Sequence, residues 1–421
     1  VDYDEILYRC KELGQEQVDI VIGGPPCQGF SNANRQKTEL ISSNNQLVKQ
    51  FTKAIERLRP KAFVMENVKT MKSKVHKFFR TFDDKEIDIL GLEYKREKIF
   101  LGKKTPLSYE LLKFLKKNEH KSLEAFTISD KSLFSKLCHL VRKDKEFEKY
   151  LLKNKSVFLR YLSDWDNVHP EYWSDAYYHV WHVIMQEISH YISHGSYSRE
   201  KLIDCLVEVI EIQKILLRIN EIISNNVILF NIDCNNREIF VELVTYGVLD
   251  YLTAKFKSLG YVINEDQLIL NAADFGAPQL RERLLLIGIQ NEYIQGRKVE
   301  LPKPLLKFNE YNTVRKAIAD LENIEPLKTM SGEPIPRGKV AAREPLQKYL
   351  EINTPYVFNH IVTDTTETAL RRFKLLNPGE NFHHLDEAYK TTYTDPNRTQ
   401  NTVYLRLKYD SPSGTVLNVR K

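Results

Sequence analysis

A chain of 421 residues with 42% hydrophobic and 28% charged residues is long enough for two or three domains with a real core, and that composition excludes general disorder. No apolar run approaches the roughly 18 residues of a membrane span, and the start Val1-Asp2-Tyr3-Asp4-Glu5 has neither a basic nor an apolar leader, so a soluble, cytoplasmic protein with no membrane partner is expected. A net charge of +6 suits a nucleic-acid partner without proving one, and five scattered cysteines (Cys10, Cys27, Cys138, Cys205, Cys234) with no C-x-x-C pair indicate neither a disulfide framework nor a zinc site.

Residues 18–22 (Val-Asp-Ile-Val-Ile) read as a short buried strand. It feeds Gly23-Gly24-Pro25-Pro26-Cys27-Gln28-Gly29-Phe30-Ser31, where glycines allow close backbone approach and prolines stiffen the turn. Such a mount presents Cys27 as a nucleophile. A helix over 45–58 and an apolar strand over 62–68, carrying Glu66 at its end, continue an alternation that predicts part of a doubly wound α/β sheet in residues 1–74. From 75 to 239, lysine-rich, leucine-rich and aromatic segments of helical period, clearest at 202–223, predict a helical insertion. Residues 240–259 then read as a helix, followed by a strand near 262–270. Asp274-Phe275-Gly276-Ala277-Pro278-Gln279-Leu280-Arg281-Glu282-Arg283 reads as a turn delivering two arginines into a strand over 284–289. From about 301, proline, charge and short β-like runs such as 402–407 mark a different module. Cys27, Glu66 and the arginines all fall at strand ends, where open α/β sheets bind their ligands.

The segments Pro25-Pro26-Cys27-Gln28, Glu66-Asn67-Val68 and Gln279-Leu280-Arg281-Glu282-Arg283, in that order, resemble the Pro-Pro-Cys-Gln, Glu-Asn-Val and Gln-x-Arg-x-Arg motifs of the DNA cytosine-5 methyltransferases. The resemblance implies a partial S-adenosylmethionine-dependent methyltransferase sheet of Rossmann-like α/β type. Its catalytic core would occupy 1–74 and 240–300, with the helical insertion at 75–239 and a C-terminal target recognition domain at 301–421. Family members usually keep Glu-Asn-Val within a few dozen residues of Gln-x-Arg-x-Arg, whereas 215 positions separate Glu66 from Arg281 here. Gly24, Pro26 and Leu47 match positions lining the methionine end of S-adenosylmethionine, the implied cofactor. The family's glycine-rich cofactor loop and its last two motifs have no counterpart, so a fragment of a longer polypeptide, or a companion chain supplying those motifs, is expected.

By the same resemblance, Cys27 attacks C6 of cytosine and so makes C5 nucleophilic. A free thiol has a pKa near ~8.5, so attack must be coupled to proton donation at the base. Glu66 would supply that near N3 if its pKa is raised in a desolvated pocket. Arg283, and secondarily Arg281, would steady charge at O2. The target base must be flipped from double-stranded DNA. Gln28, Ser31 and Arg35, on a loop from 28 to about 42, would then contact the DNA together with Gln279; polar composition alone would equally give an ordinary solvated loop. The family's habits imply restriction–modification with a cognate restriction endonuclease. Alternatives are a tRNA cytosine-5 methyltransferase and a non-catalytic DNA-binding or scaffold subunit. His179, His182, His190 and His194 have helical spacing but read as structural beside an aromatic packing face rather than as metal ligands. The run from Arg142 to Arg160 reads as a solvated helix face rather than a phosphate grip.

Overall fold

The computed structural model describes residues 2–25, 43–73, 76–117, 123–142, 146–329, 333–337, 345–350, 354–362, 364–391, 393 and 396–415. In chain order its elements begin with α1 (Tyr3–Glu12), β1 (Ile20–Gly23), α2 (Ser43–Leu58), β2 (Ala62–Val68), β3 (Lys77–Phe79), α3 (Glu86–Ile89), β4 (Lys95–Lys103) and α4 (Pro106–Lys117). There follow α5 (Lys131–Arg142), α6 (Phe147–Lys153), α7 (Lys155–Ser163), α8 (Trp165–Val168), α9 (Asp175–His194), α10 (Arg199–Ser224), β5 (Leu229–Cys234), β6 (Glu238–Gly247) and α11 (Val248–Ser258). The chain continues with β7 (Tyr261–Ile263), β8 (Ile269–Asn271), β9 (Glu282–Gln290), α12 (Asn291–Ile294), α13 (Val314–Ile318), β10 (Ile335–Pro336), α14 (Pro345–Leu350), β11 (Tyr356–Val357) and α15 (Glu367–Leu375). No helix of the described residues is long and apolar enough to cross a membrane.

The five-stranded sheet has the order β1-β2-β9-β7, with β8 also paired to β9. β7 and β8 both run antiparallel to β9, so the sheet is mixed rather than purely parallel. Two compact units divide the chain. One comprises Val1–Phe63, Thr70–Ile263 and Gly288–Gly296, the other Val64–Lys69, Asn264–Ile287 and Arg297–Lys421.

In the first unit, Phe63 stands among Phe51, Phe256 and Tyr261 at ring separations of 6.1, 4.3 and 5.2 Å. Two glycines make that cluster fit. A Cβ on Gly23 would lie 2.6 Å from the Phe51 ring, and one on Gly288 would lie within van der Waals exclusion of Phe63. Gly23 therefore lets α2 seat on β1. The expectation that β1 is buried is corrected. Ile20 and Ile22 are exposed, because β1 ends the sheet order and side chains alternate along a strand, so α2 shields only the Gly23 side.

The same unit contains a large core on α10, where Leu202, Leu206, Val209, Ile212, Leu216 and Ile219 recur at three- and four-residue spacing and are buried. Each contributes about 1.5–3 kcal/mol by leaving water. Tyr177 and Trp181 of α9 join that core, and buried Gln213 ties it by donating to Phe126 O at 3.0 Å and accepting from Ile128 N–H at 2.8 Å. The helices are as the periodicity predicts, but residues 75–239 are not helical throughout. They carry β3, β4, β5 and the first residues of β6, which pairs antiparallel with all three in a four-stranded sheet. Residues 240–247 are accordingly strand, and only 248–258 form the helix expected over 240–259.

The second unit is built from short pieces. Buried Asn264 accepts from Ile287 N–H at 2.6 Å and donates to Leu285 O at 2.9 Å, closing the polypeptide beside β9. Further along, buried Arg372 lies 5.8, 5.5 and 5.3 Å from the rings of Phe382, Tyr393 and Tyr404 and donates to Tyr389 O at 2.7 Å. The β-like run expected at 402–407 is turn and irregular backbone, since Tyr404 adopts a left-handed φ of 54° that interrupts extension.

Candidate active site

Alternation places Glu66. On β2 the side chains of Phe63, Met65 and Asn67 are buried, so Glu66 stands on the opposite face. On β9, Leu284 and Leu286 are buried, so Arg283 falls on the less buried face as well. Gln290 N–H bonds Lys61 O at 2.9 Å, at the start of β2 and the end of β9, so the two strands run in opposite directions. The end of β2 therefore meets the start of β9. There Arg283 Nε lies 2.8 Å from Glu66 Oε1, with the side chains 21% and 43% exposed.

This pair brings together residues 217 positions apart in the chain. One carboxylate oxygen is engaged and Oε2 is left to meet a ligand; the guanidinium likewise has donors beyond Nε, one of which bonds Glu282 O at 2.8 Å. A carboxylate steadied by a guanidinium can offer an acceptor and a cation to the edge of a base. Glu66 is thus half-open and paired with a cation; the desolvated setting expected for it is not formed by the described residues. Lys69 and Glu282 form a second ion pair beside the first.

Arg281 is held through its backbone. Its N–H donates to Asn271 Oδ1 at 3.0 Å, and its carbonyl accepts Ala272 N–H at 3.0 Å. Asn271 was not singled out from the sequence, although an Asn before Ala-Ala-Asp-Phe-Gly is a recognisable cap of a short helical turn. Its side chain sets the entry of the arginine-bearing segment. Asp274 has a comparable role: its carbonyl accepts N–H bonds from Leu305 and Leu306, and its carboxylate accepts from Tyr311 O–H. Gln279 pairs in parallel with Ser413, and Leu280 N–H donates to Ser413 O at 2.8 Å.

Cys27, Pro26, Gln28, Ser31 and Arg35 lie outside the described residues. Gly24 and Leu47 are described and exposed. Gly24 and Leu47 can offer close backbone approach and apolar contact, but no charged side chain, to the methionine end of S-adenosylmethionine, which carries an ammonium, a carboxylate and a sulfonium. The other cysteines offer a contrast. Burial pushes the Cys138 and Cys205 thiols up, which suppresses thiolate formation.

The histidines of α9 are exposed rather than packed in the core. His182 pairs with Gln186 at 3.0 Å and His190 with Ser196 at 3.1 Å. Among the described residues no group of three or more His, Cys, Asp or Glu could hold a metal ion.

The family model for C-5 cytosine-specific DNA methylase matches residues 2–100 and 238–406, more than half of the chain. The break falls inside the segment read as an insertion. The type II methyltransferase M.DdeI of Desulfomicrobium norvegicum is 28% identical over 142 residues, 34% of this chain and 33% of that protein. M.XorII of Xanthomonas oryzae pv. oryzae is 45% identical over 73 residues, 17% of either chain. M.AquIA of Picosynechococcus is 35% identical over 95 residues, 22% of this chain and 38% of that one. The chain thus spans well under half the length of the curated relatives it matches. A solved E. coli prophage protein, assigned as a DNA modification methyltransferase, covers 99% of this chain and shares 68% of its own length at 12% identity and a TM-score of 0.36, a likeness that carries no argument. On the family match and the motifs within it, the chain belongs to the C-5 cytosine-specific DNA methylases.

Proposed function

We propose that this chain takes part in methylating C5 of cytosine in a specific double-stranded DNA sequence, with S-adenosylmethionine as donor and restriction–modification as its setting. The observation that carries the proposal is the 2.8 Å pairing of Arg283 with Glu66, which joins two of the family's motifs at one strand end. Methyltransferase folds of Rossmann-like type keep their ligands at such ends. In this reading Cys27 forms a carbon–sulfur bond to C6 of a flipped cytosine while the ring's electrons move toward N3. Glu66 meets N3 with a proton or hydrogen bond, and Arg283 orients the carboxylate and faces the charge gathering on the base. The cofactor supplies an electrophilic methyl carbon. Loss of the C5 proton then lets the carbon–sulfur bond break and frees Cys27. Gly24, Pro26 and Leu47 would hold the methionine end, Arg281 would support Arg283, and Gln28, Ser31, Arg35 and Gln279 would touch the DNA.

Covalent trapping tests this. The chain is incubated with S-adenosylmethionine and mixed-sequence duplexes containing 5-fluorocytosine, and a denaturation-resistant adduct is sought by mass. The expected result is an adduct mapped to Cys27, lost in Cys27→Ser. DNA binding without an adduct, in the presence of cofactor and again after addition of a polypeptide carrying the family's glycine-rich cofactor loop, would overturn the catalytic reading in favour of a binding subunit; an adduct formed only on RNA would overturn the choice of substrate.

A further inference from the structure

The outer face of the four-stranded sheet is not accounted for by methyl transfer. Ile99 and Leu101 of β4, Val241 and Leu243 of β6 and Ile232 of β5 point into the core. Alternation sends Arg96, Lys98 and Phe100 of β4 and Phe240 of β6 the other way, with Phe100 directly opposite Phe240. A register shift between Leu229 and Asn231 adds a third ring. It keeps Leu229 and Ile232 packed inward while Phe230 emerges beside Asn231. Phe100 and Phe230 are 44% and 46% exposed, an unusual content for the solvent side of an antiparallel sheet.

Each ring carries a cation. The Arg96 guanidinium lies 4.0 Å from the Phe230 centroid, Lys98 Nζ 4.6 Å from Phe240, and the Arg218 guanidinium 5.6 Å from Phe100. Arg218 is anchored by a hydrogen bond to Leu101 O. Of the carboxylates on this face, Glu242 is met by Lys98 at 3.9 Å and Asp233 by Lys116 at 3.3 Å, while Glu238 is exposed at the start of β6. Lys98 is thus shared with Glu242, and Arg96 and Arg218 carry the positive charge interleaved with the apolar rings.

We propose that this face binds single-stranded nucleic acid. Unpaired bases offer planes for the phenylalanine rings, while the linking phosphates meet Arg96, Lys98 and Arg218. A duplex offers the phosphates but hides its base planes in the stack. An acidic peptide segment would meet the cations through its carboxylates, which have no flat apolar face to lay on the rings. None of the residues of this face is among those placed in methyl transfer.

The test is fluorescence anisotropy of the full chain with a labelled oligonucleotide of about 12 nucleotides, as single-stranded DNA, single-stranded RNA and the matching duplex. Single strands of one or both sugars are expected to bind more tightly than the duplex. Phe230→Ala and Phe100→Ala should each weaken that binding about tenfold. Phe230→Leu, which keeps the apolar bulk, should weaken it too. Arg96→Gln and Lys98→Gln, which leave the core untouched, should each lower the salt slope by about 0.7. Single-strand binding unchanged by both phenylalanine variants and both cation variants would overturn the proposal, as would a preference for the duplex.

Discussion

Two clusters in this chain pair a cation with carboxylates from distant segments, and their surroundings differ. Lys255 of α11 is 8% exposed and lies 2.8 Å from Glu56 of α2 and 2.5 Å from Glu86 of α3. One ammonium is shared by two carboxylates, within a set of packed helices. Arg283 faces a single carboxylate at a strand end, with Glu66 43% exposed and one oxygen still to be used. The first cluster buries its cation between two carboxylates and holds elements together. The second has bonding capacity left over, which is what a ligand site needs.

The sharpest way to break that contrast is Glu66→Gln. Proton donation by a positioned side chain is worth about 10²–10⁴ in rate. Methylation and trapping are expected to fall by that factor, with the urea midpoint unchanged. A matching loss of stability would mean that Glu66 is structural.

Lys255→Met should do the reverse. Breaking a fully buried pair costs about 3–5 kcal/mol. The carboxylates here are partly solvated, so a loss of about 1–3 kcal/mol is expected in denaturant titration, with methylation per folded molecule retained.

Arg283→Lys sharpens the contrast further. It keeps the charge but loses the planar fork, and a loss of about tenfold in methylation is expected. Full activity in the lysine variant would reduce Arg283 to a point charge.

The smallest effect is in pH. Burial pulls the Lys255 ammonium down, but the hydrogen bonds it donates to the Glu56 and Glu86 carboxylates outweigh it and its pKa lies above the ordinary lysine value. A raised folded-state value stabilises fully below the unfolded pKa and ceases to stabilise as pH rises through the folded one. The stability gap between the natural chain and Lys255→Met should therefore hold through neutral pH and close in strong alkali.

The legible parts of the fold are those whose pattern stays within one element. β2 matches its predicted span of 62–68, and α10 follows the apolar spacing of 202–223. The four-stranded sheet was missed although Ile239, Val241 and Leu243 alternate in the burial expected of a strand, because the neighbouring α11 pattern extended the helical reading over them. The run 402–407 misled in the other direction: its β-branched and aromatic composition favours extension, but the backbone turns at Tyr404.

The sequence by itself determined the family's motifs and their order and placed Glu66 and Arg283 near strand ends, since motif order, strand alternation and turn residues are properties of adjacent positions. Only the tertiary structure decided that Glu66 and Arg283 touch, that Ile20 and Ile22 are left exposed, and that a bulge turns Phe230 out among cations. Strand neighbours and register depend on contacts between segments up to hundreds of residues apart, and a short stretch of chain holds no record of its partner.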